Sequence, residues 1–396
     1  MKRLLSLALI ASFLIVPVAE AAPKKIAVKP LQLITTVGTP DEVSGVVVSG
    51  KTLIVFGSKA SKAYARAVDT TGKELWNLSL DQSAASIATA AAVDSAGDIW
   101  VVGATPLALG LTPPNPAATP ANPDNASVPP NTSAGNLQAV TLWKVTAAGV
   151  LTSTNTLPTS SVVFPTAISL DRNGASVVGI IGTEKGSAGF LVHTDKTGLF
   201  GKLLQIGLAS TTADAVVRHT DGSFTVAGSS SETLAGKKVA GVTDGVLIKI
   251  SKAQKITSVV RSSAVKGKRI WNSATSTLLL GGEVVAGGKT ETAITKFSSS
   301  FAPTWTYRFP STGQAITVGS TYALFVSTGA IAQLSWNPKV ATPLLLTFDA
   351  KGAVVAADSG PVGQKEVLGA VLSKELGLLV VTSSADTVSI FTLIPR

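Results

Sequence analysis

One structural unit keeps returning along this 396-residue chain. It is a short apolar or alternating run, a tight turn, a second apolar run ending in Gly or Ser, a loop, and a third run that stops at a turn. The third runs lie at 63–68, 139–145, 189–193, 245–250, 292–297, 343–348 and 388–394. The residues that follow them are Asp69, Thr146, Asp195, Ser251, Ser298, Asp349 and Pro395, spaced by 77, 49, 56, 47, 51 and 46 positions. A period of about 40 to 50 residues made of short strands marks radially repeated sheets, because each unit needs a neighbour to cover its apolar face. The expected fold is all-β, a single β-propeller of seven four-stranded blades. Six or eight blades stay open, since the fifth and sixth repeats carry weak turn signals.

The blades are expected at 43–80, 87–157, 165–206, 213–261, 269–309 and 315–358, with a seventh from Val367 to the C-terminus. That last unit has three strands. The segment 30–37 precedes the first blade and has none of its own. Pairing it beside 388–394 would complete the seventh blade, close the ring and remove both open sheet edges.

Turn chemistry supports the repeat. Asp94-Ser-Ala-Gly97, Asp171-Arg-Asn-Gly174 and Asp221-Gly222 separate first from second strands. Asp69-Thr-Thr-Gly72, Asp195-Lys-Thr-Gly198 and Asp349-Ala-Lys-Gly352 separate third from fourth. The carboxylate caps the turn and Gly takes the positive φ, so these acids are read as structural. The stretch 105–136 is rich in Pro, Asn, Ala and Thr, and is expected as an extended loop inserted in the second blade.

The first 21 residues read as a secretory signal: Lys2 and Arg3, an apolar run at 4–16, then Ala19-Glu20-Ala21. The mature domain would be 22–396, extracellular, periplasmic or cell-wall associated, with no transmembrane anchor. Cysteine is absent, so an exported chain of this kind would be held by packing and hydrogen bonds alone. The signal style and the Ala, Val, Thr, Ser and Gly content point to a bacterial source. The net charge is +10, which favours acidic partners: an anionic polysaccharide, a cell-wall polymer or a protein, and not nucleic acid. A monomer is expected.

At Ala67-Val-Asp-Thr-Thr-Gly-Lys-Glu-Leu-Trp76 the chain resembles a repeat of the quinoprotein-like propellers, whose Trp docks between blades. The stretch from Thr212 through Asp221-Gly-Ser-Phe-Thr-Val-Ala-Gly228 to Lys249 resembles bacterial secreted propeller repeats of cell-surface proteins. Both resemblances imply a propeller and no particular reaction.

Few residues carry chemistry. His193 and His219 are the two histidines, both read as strand residues, and no ligand spacing suits a metal. No cofactor is expected. The acids of the inner strands and loops (Asp41, Glu42, Asp81, Asp214, Glu232, Asp244, Glu283, Glu291 and Glu366) form no recognisable pair. The most usable pattern is basic. Lys237 and Lys238 lie in the second-to-third-strand loop of the fourth blade, and Lys266, Lys268 and Arg269 lie in the connection to the fifth. In a propeller those segments share a face. Trp336, beside Asn337-Pro338, is the tryptophan expected to be exposed. These six residues form the expected ligand site of a non-catalytic binding module. The alternative is an extracellular polysaccharide hydrolase or lyase with carboxylates at the channel mouth. A redox quinoprotein is disfavoured, because one repeat alone matches.

Overall fold

The computed structural model describes residues 25–81, 85–107 and 137–394. The signal at 1–21 and most of the 105–136 insertion lie outside these residues. Every regular element among the described residues is a β-strand. No helix among them is long and apolar enough to cross a membrane.

Five sheets have four strands each. They occupy 43–79, 87–158, 163–206 and 211–262, and the fifth joins Glu366–Ser373, Gly377–Ser383 and Val388–Thr392 to the N-terminal strand Gln32–Thr36. The remaining strands form one eight-stranded sheet, from Lys268–Ala274 to Val354–Ser359, with Val28–Pro30 added in parallel at its edge. The expectation of seven separate four-stranded blades is therefore corrected to five. The cause is Pro303–Val318, a single sixteen-residue strand. Its first part pairs with Lys289–Phe297 and its second with Tyr322–Ser327, so one strand carries both ladders across the expected boundary between 309 and 315.

The segment 30–37 does pair against the final strand, with Leu33 opposite Phe391 and Thr36 opposite Ser389. That ladder supplies the fourth strand of one sheet. Closure of a seven-bladed ring does not follow from it and is set aside. The N-terminal segment also bridges two sheets: Leu31 N donates to Ser359 O and Val37 N to Val388 O, both at 2.8 Å.

The turns explain why the repeat is visible in some units and faint in others. Asp69 Oδ1 accepts from Thr71 N, Thr71 Oγ1 and Lys73 N, and Gly72 sits at φ 87°. Asp195 does the same with Thr197 and Leu199, and Asp349 with Lys351 and Ala353. Elsewhere Thr or Ser replaces Asp, and a residue with a Cβ takes the left-handed position: Leu278 at φ 60° and Phe301 at φ 64°. Both side chains are buried in one core cluster, so burial offsets the backbone strain.

Apolar faces of neighbouring sheets pack on one another. Trp271 joins Ala227 and Leu247 of the 211–262 sheet, and Trp143 joins Ala63, Ala65 and Ala67 of the 43–79 sheet. Trp76 docks between sheets, as the resemblance implied. Its Nε1 donates to Ala147 O at 3.0 Å, and its ring covers Gly149, where a Cβ would lie 2.6 Å away.

Candidate functional site

The loop 231–243 and the connection 263–267 are laid together by backbone bonds. Val242 N donates to Gly267 O at 2.8 Å, and Arg269 N donates to Thr243 O at 2.9 Å. Thr243 and Lys268 form a parallel bridge. The structure thus places Lys237, Lys238, Lys266 and Lys268 on adjoining segments at one end of two neighbouring sheets. All four are exposed, and none has an ion pair among the described residues.

Arg261 holds the loop in shape. Its guanidinium donates to the carbonyls of Ser230, Glu232 and Lys237, and it pairs with Asp244 at 3.3 Å. Lys237 and Leu234 exchange backbone bonds across a turn in which Ala235 and Gly236 have φ 44° and 77°. The lysines therefore stand on a fixed backbone, which lowers the ordering entropy a ligand must overcome.

The acids nearby are engaged by neighbouring backbone and side-chain donors. Glu232 Oε1 accepts from the amides of Leu208, Ala209 and Ser210 and from Thr211 Oγ1. Burial alone would raise this carboxyl, but those donors outweigh it and hold it below the usual range. Asp244 is treated likewise: burial pushes up, and the amides of Ala240 and Gly241, the Ser263 hydroxyl and Arg261 pull further down. Both carboxylates thus serve the loop and leave the lysines uncompensated. Lys268 is the exception, because it attracts Glu283, whose carboxyl burial pushes up.

Two expected site residues are placed elsewhere. Arg269 is half-buried, with its guanidinium 4.4 Å from the Trp271 ring centre and Nη2 donating to Thr295 Oγ1 at 3.0 Å. Burial, with Arg308 nearby, pushes it down to about 10. Trp336 is half-buried as well, and its Nε1 donates to Ser327 Oγ at 3.1 Å. The histidines are structural in geometry. His193 Nδ1 meets Gln254 Nε2 at 2.9 Å, and His219 Nε2 meets Thr225 Oγ1 at 2.7 Å.

The first strands share an irregularity that the sequence does not show. First strands carry a bulge after Val43, Ala88, Pro165, Ala213, Trp271 and Val367. The extra residues include Thr89, Thr166, Asp214 and Asn272. Thr166 Oγ1 donates to Ala213 O of the next sheet at 2.6 Å. Asp214 accepts from Thr212 Oγ1 at 2.6 Å, and burial pushes its carboxyl up to about 6. It is the one acid among the extra residues, which also include Ser44 and Leu368. The sequence placed Asp214 among the acids of inner strands and loops, but a period-two pattern does not reveal the bulge that holds it.

No family model matches this chain, and no curated protein does. Its fold is that of solved β-propellers. The WD40 domain of Toxoplasma gondii coronin aligns with a TM-score of 0.52 and 8% identity, over 94% of this chain and 90% of that one. YCF48 bound to D1 peptide aligns with a TM-score of 0.51 and 10% identity, over 93% and 98%. Identities this low establish the propeller fold and nothing narrower.

Proposed function

We propose that the chain is an exported, non-catalytic binding module that receives an acidic partner on the end bearing Lys237, Lys238, Lys266 and Lys268. The observation that carries this reading is the joining of the two lysine-bearing segments by backbone bonds while Glu232 and Asp244 are taken up by backbone amides. Export rests on the N-terminal pattern at 1–21. The partner class is an acidic protein segment. YCF48, of similar fold, is a protein that holds a peptide, which is the precedent for choosing protein over polymer.

Hydrolysis or elimination of a polysaccharide would need two carboxylates facing one sugar bond. Glu232 and Asp244 are committed to loop amides, and Asp214 is bonded to Thr212. The binding reading therefore fits the acids better.

Titration of the mature chain with polyglutamate and with polygalacturonate, at low and at physiological salt, tests it. Tighter binding of polyglutamate that weakens steeply with salt is expected. Failure of both polyanions to bind at low salt would overturn the reading, and preference for polygalacturonate would transfer it to a cell-surface polymer.

A further inference from the structure

A cleft of about 540 Å³ lies on the 43–79 sheet, well apart in sequence from the lysine-bearing loops. Its size falls within the range of small-molecule sites. It is lined by Gly38, Glu42, Lys59, Lys62, Tyr64, Arg66, Asn77 and Ser79. The strand Lys62–Val68 builds it by alternation. Ala63, Ala65 and Ala67 point into the core against the next sheet. Lys62, Tyr64 and Arg66 therefore share the other face. Ladder pairing sets Ser79 beside Tyr64 and Asn77 beside Arg66.

Tyr64 sits at the centre of this lining. It is only 8% exposed, and the part left accessible lines the cleft. Lys62 is exposed and has no ion pair among the described residues. Arg66 gives Nη2 to Val37 O at 2.7 Å and approaches Glu74 only to 3.7 Å, so N–H groups remain to spare. Lys59 meets Glu42 at 3.2 Å, leaving this pair at the rim.

We propose that this cleft binds a carboxylate-bearing sugar, with the acid group between Lys62 and Arg66 and the ring hydroxyls on Tyr64, Asn77, Ser79 and Glu42. With Lys59 paired to Glu42, Lys62 and Arg66 leave the cleft net positive, which selects an anion. Glu42 argues against phosphate, because a second acceptor needs a ligand that also brings O–H donors. A uronate brings both. Burial raises the Tyr64 phenol, so it stays a donor at neutral pH.

The test is calorimetric titration of the intact mature chain with D-glucuronate, D-glucose and inorganic phosphate. Lys62→Ser and Tyr64→Phe are titrated alongside it, as is a variant with Lys237, Lys238, Lys266 and Lys268 changed to Ser. Glucuronate should bind, with glucose and phosphate at least about tenfold weaker. Each cleft variant should weaken glucuronate by about five- to tenfold, and the four-lysine variant should leave it unchanged. Lys62 is exposed, so its replacement tests the site without threatening the fold. No heat with glucuronate, phosphate binding as tight as glucuronate, or two cleft variants equal to wild type would overturn the proposal. Loss of glucuronate in the four-lysine variant would also overturn it, by placing the anion at the other end.

Discussion

Arg261 Nη1 and Asp244 Oδ2 lie 3.3 Å apart, and their side chains are 8% and 0% exposed. This pair joins the last strand of the 211–262 sheet to the base of the loop that carries Lys237 and Lys238. Removing the cation leaves a buried carboxylate and three unanswered carbonyls. Arg261→Met should cost about 3–5 kcal/mol in denaturant unfolding. Asp244→Asn should cost less, because Arg261 keeps its carbonyl partners. Equal, small losses in both variants would show that the loop is not held this way.

The pH dependence of stability should carry the mark of Asp214. Burial raises its folded-state carboxyl to about 6, above the 3.8 usual for an aspartate in water. Between these values the folded chain holds a proton that the unfolded chain has lost. Stability contributed by this group is therefore full below the unfolded value and declines as pH rises to about 6. Asp214→Asn keeps an acceptor for Thr212 and removes the titration. Its melting temperature should exceed wild type at pH 7.5 and match it near pH 3.5; a constant offset at both would contradict the assignment.

Lys266 sits at φ 50°, a conformation that suits Gly. Lys266→Gly should raise stability by about 1 kcal/mol while weakening binding of an acidic partner. Thermal melts and titration on the same sample read the two effects with opposite sign. Stability and affinity falling together would mean that the lysine stem supports the loop.

Gly149 lies under Trp76 at φ 82°, with a Cβ position 2.6 Å from the ring. Both the backbone and the ring oppose a methyl group. Gly149→Ala should cost about 1–3 kcal/mol and blue- or red-shift Trp76 fluorescence as the ring is displaced. An unchanged midpoint would mean that the ring moves freely.

Much of the fold was legible in the sequence, and particular residues show where it was not. Asp69, Asp195 and Asp349 with their glycines marked real turns, and the third runs marked real strands. Leu278 and Phe301 hid two equivalent turns, because burial there replaces the glycine that a reader looks for. The blades expected at 269–309 and 315–358 share one strand, because Pro310 pairs with Glu291 on one ladder and Ser311 with Ser327 on the next. Of the basic group, four lysines lie on adjoining segments, since the loop 231–243 is bonded to the connection 263–267 and to the start of the strand at Lys268. Arg269 did not join them, because its strand turns it onto Trp271. Lys62, Tyr64 and Arg66 were readable in principle: alternation with three alanines puts them on one face.

The central claim concerns where positive charge sits, and one comparison separates location from quantity. One variant changes Lys237, Lys238, Lys266 and Lys268 to Ser. The other changes Lys51, Lys73, Lys252 and Lys351, from turns at the opposite strand ends, and loses the same charge. Binding of a fluorescent acidic peptide by anisotropy should fall about tenfold or more in the first and stay within about threefold of wild type in the second. Equal loss in both, or none in either, would contradict a partner held at the loop-bearing end.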